Sequence, residues 1–232
     1  MFYYKRPAEK ILPGVIMTFN VNDWINDLAD KLKKTFETRL LFVGLQGSYR
    51  RGESKPSSDI DVVVILDKLI IEDLKKYKQI IASMPDSEKA CGFISGKNEI
   101  KNWPKMEIFQ FTNDTKAVFG SLDNLVPEVT KNDIETYIKT SSAALYHMVV
   151  HSYLYDKTYD NIKMVLKSLF FMFQAVEYLR NGRYISTKRE LISLLPKEEK
   201  EMLEMNIDGL SDAEAEIFLD KLIKYLSKGF CG

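Results

Sequence analysis

The sequence predicts an α+β fold, in which a mixed β-sheet with flanking helices is followed by an all-α helical bundle. Short β-rich runs alternate with helical stretches up to about residue 125, and helical periodicity takes over beyond that point. Residues 61–66, DVVVIL, are a nearly unbroken β-branched run, which is typical of a central strand covered on both faces. We therefore expect one domain over residues 1–125 and a second, helical domain over residues 126–232.

The elements of the first domain follow from the spacing of apolar residues. Trp24, Leu28 and Leu32 recur at helical spacing, so residues 21–38 are predicted to form a helix. The pattern then predicts strands over residues 40–45, 61–66, 91–95 and 105–111, and a second helix over residues 69–83. The last of these strands would place Glu107, Phe109 and Phe111 on one face.

A linker and two long helices are predicted for the second half of the chain. Residues 121–133 carry turn and breaker residues and form the candidate linker. Helices are expected over residues 133–153 and 161–179, and LFFMF at 169–173 is apolar all round, as in the central helix of a bundle. Two capping-box patterns predict later helix starts, Thr187 with Glu190 and Ser211 with Glu214.

Composition excludes several classes of protein. Lys plus Arg and Asp plus Glu both number 33, so the chain lacks the basic surplus of a protein that binds the nucleic-acid backbone. Cys91 and Cys231 lie far apart, which suits a reducing cytosol. Pro13 and Gly14 interrupt the only apolar stretch near the amino terminus, and no run approaches the roughly 20 residues of a membrane span. We expect a cytoplasmic protein without a membrane partner.

The pattern that predicts chemistry lies within residues 41–66. A strand ends in Gly47 and Ser48, a polar segment follows, and Asp59 and Asp61 open the next strand. Residues i and i+2 of a strand point to one side, so the two carboxylates raise each other's pKa unless a cation compensates them. Mg²⁺ does so with one or two carboxylates and substrate phosphates. Gly47 allows a close approach of backbone to phosphate, and Ser48 can donate to it.

A D-x-D pair alone is weak evidence, because short motifs of this kind are often solvated pairs at the start of a strand. Its combination with Gly47-Ser48 and a short polar connection is far more specific. The combination resembles the signature of the nucleotidyltransferase superfamily, which includes DNA polymerase β and the antibiotic adenylyltransferases. That resemblance implies a third carboxylate from a later strand. Glu107 is the candidate, because Asp114 and Asp123 fall in turn-like sequence; a solvent-facing glutamate is the alternative.

Within the superfamily the sequence is most similar to the streptomycin/spectinomycin (aminoglycoside) adenylyltransferases, which also carry a C-terminal helical domain. Their serine before the D-x-D matches Ser58, and their Pro-x-x-Glu matches the segment from Pro104 to Glu107. Their G-K-I-x-x-K element opens a helix that ends in Leu-Pro, and it matches residues 182–196. This match implies that Lys188 binds the nucleotide. The residues that grip the antibiotic in that family have no convincing counterpart here, so the acceptor stays open.

Basic residues at two further positions can be argued without the family. With Thr187 as N-cap, Lys188 lies in the first turn of a helix, where a positive charge opposes the helix dipole unless an anion is present. Free amides at a helix start favour phosphate, although a solvent-facing lysine tolerated at small cost is the alternative. Arg50 and Arg51 fit two interpretations, a contact with the triphosphate or a solvated loop pair.

These features predict a Mg²⁺-dependent nucleotidyltransferase that transfers AMP from ATP to a hydroxyl of a small molecule, with an aminoglycoside-type antibiotic, and hence antibiotic resistance, as one candidate. The resemblance implies that two Mg²⁺ ions assist the reaction. Glu107 would take the acceptor proton, bind the second metal ion, or do both. The predicted site residues are Asp59, Asp61 and Glu107 for catalysis and metal binding, and Gly47, Ser48, Ser58 and Lys188 for nucleotide binding.

Two alternatives change the acceptor or the activity. The first is AMP transfer to a protein or an RNA terminus, as in toxin–antitoxin AMP transferases, and the neutral net charge disfavours RNA. The second is a catalytically silent nucleotide-binding module, which the three carboxylates disfavour because such a cluster costs stability. The sequence leaves the acceptor, the choice of ATP over other nucleotides and the oligomeric state undetermined.

Overall fold

The computed structural model describes residues 19–155, 160–208 and 210–231. Pro13 and Gly14, on which the expectation of no export segment depends, lie outside them. Within the described residues the chain forms a four-stranded mixed sheet with helices on both faces, followed by a helical region. This confirms the predicted fold class.

Five α-helices and four strands are described in the part of the chain from residue 19 onward that contains the sheet. They are α1 (Val21–Phe36), β1 (Leu40–Gln46), α2 (Gly47–Arg51), β2 (Ile60–Leu66), α3 (Ile71–Ala82), β3 (Ala90–Gly96), α4 (Lys97–Lys101), α5 (Lys105–Asn113) and β4 (Lys116–Phe119). The helical region contains α6 (Lys131–Tyr155), α7 (Asp160–Asn181), α8 (Lys188–Leu194), α9 (Lys197–Glu204) and α10 (Asp212–Cys231).

The order of strands across the sheet is β3-β2-β1-β4. β1 is antiparallel to both β2 and β4, whereas β3 is parallel to β2. Gln46 pairs with Asp61 and Leu45 pairs with Lys116, so the end of β1 lies beside the beginnings of β2 and β4. Residues that precede β2 and β4 in sequence are therefore brought to the turn that follows β1.

Both faces of the sheet are covered, as the β-branched run in β2 predicts. On one face Leu28 and Leu32 of α1 pack against the sheet together with side chains of α3. On the other face Phe42, Val63 and Ile65 pack against Ile100 of α4 and Ile108 of α5. Every residue of β2 except Asp61 is buried, so the one polar side chain of that strand lies at its site-proximal end.

The strand predicted over residues 105–111 is wrong, because this segment is the helix α5. Pro104 precedes the helix, where its fixed φ and missing N–H are tolerated. Ile108 packs toward the sheet, while the next residue, Phe109, packs against the helical region. Neighbouring residues on a helix point about 100° apart, so a helix can bury both in these two directions. The fourth strand of the sheet is instead β4, which follows α5 in the chain and was not among the predicted strands.

The helical region has its own core and packs against the sheet region at a small apolar joint. Leu169 and Phe173 of α7 are fully buried in that core, which confirms the predicted central helix. At the joint, Phe109, Ile134 and Ala175 form a small buried cluster. Both predicted capping boxes are partly or fully formed, since the Thr187 and Ser211 hydroxyls accept bonds from the amides of Glu190 and Glu214. The domain boundary at residue 125 stays a prediction.

Among the helices of the described residues, none is both long and apolar enough to cross a bilayer.

Candidate active site at the turn after the first strand

Gly47 forms the turn at the end of β1 and lies against Asp61. Its φ of +70° belongs to the left-handed region, which favours glycine. A Cβ atom at this position would lie 1.9 Å from Asp61 Oδ2. Glycine is thus required here for two reasons, the backbone conformation and the closeness of the carboxylate.

Asp59 and Asp61 lie at the start of β2, beside this turn. Asp59 is exposed just before the strand, and Asp61 is half-buried and pairs with Gln46 in the sheet. Burial, together with the negative charges of Asp59 and Asp114, raises the pKa of Asp61 to about 6, whereas Arg51 opposes the shift. Ionised Asp61 is therefore under-compensated in the protein, which is the condition a bound cation would relieve.

The two serines of the predicted site flank the polar segment between β1 and β2. Ser48 is half-buried in α2, and its carbonyl accepts a 2.9 Å hydrogen bond from the Glu53 amide. Ser58 Oγ accepts a 2.8 Å hydrogen bond from the Lys55 amide, and the Ser58 amide donates back to the Lys55 carbonyl. These bonds close the turn that leads into Asp59, and the Ser58 hydroxyl proton is left to donate elsewhere.

Glu107 lies on the helix α5 and not on a strand of the sheet. It occupies the exposed first turn of α5, and its charge acts on Tyr137 of α6. No three His, Cys, Asp or Glu side chains in the described part of the chain converge closely enough to hold a metal ion alone. The role predicted for Glu107 stays a prediction, although the strand on which it rested is absent.

Asp114 is the carboxylate that the fold brings to the turn. It ends α5 and precedes β4, and only 7% of its surface is exposed. Its Oδ2 atom accepts a 2.6 Å hydrogen bond from Arg51 Nη1 and a longer one, 3.4 Å, from the Gly47 amide. Burial raises the pKa of Asp114, against the effect of Arg51 and Arg50. Sequence reasoning placed Asp114 in a turn; its position before the apolar run of β4, like that of Asp59 before β2, was the available signal.

Lys188 begins α8, and its backbone faces the turn segment. The Lys188 amide donates a 2.7 Å hydrogen bond to Glu53 Oε1, while the Lys188 side chain is exposed. Thr187 caps the helix as predicted. The structure thus brings the start of α8 to the segment that follows Gly47 and Ser48, although 135 residues separate Glu53 from Lys188.

Known proteins share this domain and this fold. The family model of the nucleotidyltransferase domain matches residues 25–86, a range that contains Gly47, Ser48, Asp59 and Asp61. No curated protein matches the chain significantly in sequence. The solved structure of spectinomycin adenyltransferase AAD(9) from Enterococcus faecialis, with ATP and spectinomycin, is 17% identical with a TM-score of 0.56. That comparison covers 90% of this chain and 99% of the other, so the shared fold includes the helical region.

Two toxin–antitoxin structures are similar over a smaller part of the chain. One, with AMP-PNP, is 20% identical with a TM-score of 0.32, and the other, a mutant MntA-HpeT, is 17% identical with a TM-score of 0.30. Each covers 56% of this chain and 95% of the other, and at these TM-scores neither carries an argument about the fold.

From the match over residues 25–86 and the turn between β1 and β2, we conclude that the protein carries a nucleotidyltransferase domain, as its Gly-Ser and D-x-D pattern predicts.

Proposed function

We propose that the protein transfers the AMP moiety of ATP to a hydroxyl of a small molecule. The observation that carries the proposal is the contact between Gly47 and Asp61, which sets a carboxylate pair against a glycine turn. The nucleotidyltransferase family model covers these residues. The AAD(9) structure of the same fold contains ATP and spectinomycin, which supports a nucleotide and a small-molecule acceptor for this chain as well.

Asp59 and Asp61 are the residues that would hold Mg²⁺. Two neighbouring carboxylates, one of them with a pKa raised to about 6 by burial and like charge, fit a divalent cation with oxygen ligands. When bound, Mg²⁺ would neutralise negative charge on the triphosphate as pyrophosphate leaves. The second ion implied by the family resemblance requires a third carboxylate, for which Glu107 stays the predicted ligand.

The chain's own residues would bind and orient the nucleotide. The Gly47 turn leaves room for a phosphate close to the backbone, and the hydroxyls of Ser48 and Ser58 can donate to phosphate oxygens from two sides of the D-x-D. Lys188, exposed at the start of α8, would add a positive charge from the helical region. In-line attack by the acceptor hydroxyl on the α-phosphorus then depends mainly on positioning and charge neutralisation.

An AMP-transfer assay that follows label on the acceptor tests the proposal. ATP labelled at the α-phosphate is incubated with Mg²⁺ and a panel of aminoglycosides, spectinomycin and lincosamides, for the wild type, Asp59→Asn and Asp61→Asn. We expect label on a small molecule and a nearly complete loss in both variants. Asp67→Asn is the matched control, because Asp67 follows the opposite end of β2 and pairs with Arg39.

Three outcomes separate the alternatives. Label on protein or RNA would replace the proposed small-molecule acceptor with the toxin–antitoxin type. Wild-type turnover in Asp61→Asn would remove the carboxylate pair from the mechanism. Binding of ATP and Mg²⁺ without any transfer to the small molecules, to protein or to RNA would favour a silent nucleotide-binding module.

A further inference from the structure

The Arg51 side chain is enclosed by other residues of the protein, which leaves it little room to contact a substrate. Only 10% of its side chain is exposed. Its Nη1 atom donates to Asp114 Oδ2 at 2.6 Å, and its Nε atom donates to Glu53 Oε2 at 3.2 Å. The guanidinium carbon lies 5.5 Å from the centre of the Phe170 ring and 5.8 Å from that of Phe171, both in α7. The sequence left two interpretations open for Arg51, a contact with the triphosphate or a place in a solvated loop. Neither of them fits this enclosed environment.

The two carboxylate oxygens of Asp114 differ in their hydrogen bonding. Oδ2 accepts from Arg51 and Gly47, whereas Oδ1 is buried and accepts no hydrogen bond from any residue that the structure describes. Arg50 Nη1 lies 3.8 Å from Oδ1, which is too long for a hydrogen bond. A buried carboxylate of this kind is retained at a cost, so its place beside the turn calls for a reason other than stability alone.

The ion pair connects the turn with the helical region. On one side Asp114 contacts the Gly47 amide, whose residue in turn lies against Asp61. On the other side Glu53, which pairs with Arg51, accepts from the Lys188 amide at the start of α8. Arg51 is therefore the common partner of the groups that fix the turn and of those that dock α7 and α8.

We propose that Arg51 and Asp114 are positioning residues, whose ion pair holds the Gly47-Ser48 turn at the distance from Asp59 and Asp61 that a bound nucleotide requires. The inference rests on the proposed function. Neither residue touches the nucleotide; they act through Gly47. Groups that hold binding residues in place contribute to affinity because a site displaced by a fraction of an ångström loses its bonds to the ligand.

The test separates affinity from stability. Arg51→Met, Asp114→Asn and the double variant are compared with the wild type by thermal melting and by calorimetric titration with α,β-methylene ATP and Mg²⁺, an analogue that cannot be cleaved between the α and β phosphorus atoms. Arg51→Met alone should melt at a lower temperature, because it leaves Asp114 buried without its partner. The double variant should regain most of the melting temperature, yet bind the analogue about tenfold or more weakly than the wild type, as is usual when a supporting group is lost.

A distant ion pair provides the matched control. Arg39 and Asp73 form a bidentate, half-buried pair near the opposite end of the β1–β2 hairpin. The double variant Arg39→Met with Asp73→Asn should leave analogue binding at the wild-type level at temperatures where it is folded. Should the Arg51 and Asp114 double variant fail to fold, Arg51→Lys decides instead, since it keeps the charge but loses the two-pronged contact with Asp114 and Glu53.

Each result has a distinct meaning. Wild-type affinity in the folded double variant, or in Arg51→Lys where that variant decides, overturns the inference and leaves the proposed function standing. Equal weakening in the Arg39 and Asp73 control overturns it as well, because the effect would then reflect general stability. If the wild type itself does not bind the analogue with Mg²⁺, the proposed function fails and the inference fails with it.

Discussion

Gly47 and Asp61 are in such close contact that a Cβ atom at Gly47 would lie 1.9 Å from Asp61 Oδ2. A methyl group cannot be added there without moving the carboxylate. The contact joins the end of β1 to the start of β2. Along the chain these two strands are separated by the polar segment 48–59. It ties the conformation of the turn directly to the placement of the proposed metal ligand.

Replacing Gly47 by alanine should therefore damage function more than stability. Gly52 provides the control, because its φ of +71° imposes the same strain while a Cβ atom there would meet nothing within 4 Å. Both Gly47→Ala and Gly52→Ala should lose about 1–2 kcal/mol from the left-handed conformation, and Gly47→Ala should lose somewhat more because its methyl group displaces the Asp61 carboxylate. Only Gly47→Ala should also lose transfer, measured by pyrophosphate release. Equal transfer in the two variants would contradict the role of the turn.

Removing the charge of Asp61 should stabilise the protein in the absence of divalent cations. The pKa of Asp61 is raised from 3.8 to about 6, so its contribution to stability is fully present below about pH 4 and is lost as pH rises through 6. Asp61→Asn stays neutral at every pH and escapes that loss. Its melting temperature should exceed that of the wild type above pH 7, by about 2–4 °C for each kcal/mol regained. The difference should shrink toward pH 4; a constant difference would contradict the pKa shift.

Lys188→Ala should weaken the use of ATP more than the use of the acceptor. A lysine that contacts phosphate in both ground and transition states raises KM for ATP when it is lost, with a smaller effect on kcat. Arg189→Ala is the control, since Arg189 is the next residue of α8 and is also exposed. Steady-state kinetics at varied ATP concentration measures both. Equal effects of the two variants would return Lys188 to the solvated surface.

Glu107→Gln tests whether this glutamate takes part in the reaction at all. If Glu107 accepts the acceptor proton, kcat should fall by about 10²–10⁴-fold while ATP still binds. If it is chiefly a metal ligand, higher Mg²⁺ or Mn²⁺ should recover part of the loss. Turnover is compared with that of Glu99→Gln, a glutamate on the neighbouring helix α4. Wild-type turnover in Glu107→Gln would exclude both roles.

Tyr184→Phe should loosen the joint between the two parts of the chain. The Tyr184 hydroxyl donates to Gln110 Oε1 at 2.9 Å and lies 3.2 Å from Gln174 Oε1, so its loss leaves amide oxygens of α5 and α7 without a donor. We expect about 1–2 kcal/mol of destabilisation in urea unfolding. Tyr178→Phe is the control, a tyrosine whose ring contacts Phe109 at the same joint. A smaller loss of unfolding free energy for Tyr184→Phe than for Tyr178→Phe would contradict the role of the Tyr184 hydroxyl at this joint.

Many elements of the fold could be predicted because their signals are local. The β-branched run of β2, the helical spacing of Trp24, Leu28 and Leu32, and the capping residues Thr187 and Ser211 each depend on a few neighbouring residues. The Gly47-Ser48 turn and the aspartate pair were found in the same way. Glycine and paired carboxylates carry a physical meaning that hardly depends on the rest of the chain.

The segment KMEIFQF shows where local signals end. Its alternation of apolar and polar residues suits a strand as well as a helix, and short apolar runs are ambiguous in this respect. Burial decides: Ile108 is covered by the sheet and Phe109 by the helical region, two directions that a helix serves and a flat strand does not. The strand on which Glu107 was predicted is therefore absent, and the role of Glu107 stays a prediction.

The sequence by itself identified the part of the site that lies between β1 and β2, because the chemistry and spacing of its residues are local. These residues are the Gly47-Ser48 turn, Asp59 and Asp61. Only the tertiary structure decided which distant residues join them. Asp114 reaches the turn because β4 pairs with the end of β1, and Lys188 reaches it because α8 packs over Glu53. Such contacts arise from the packing of whole elements against one another, and no short stretch of sequence contains that information.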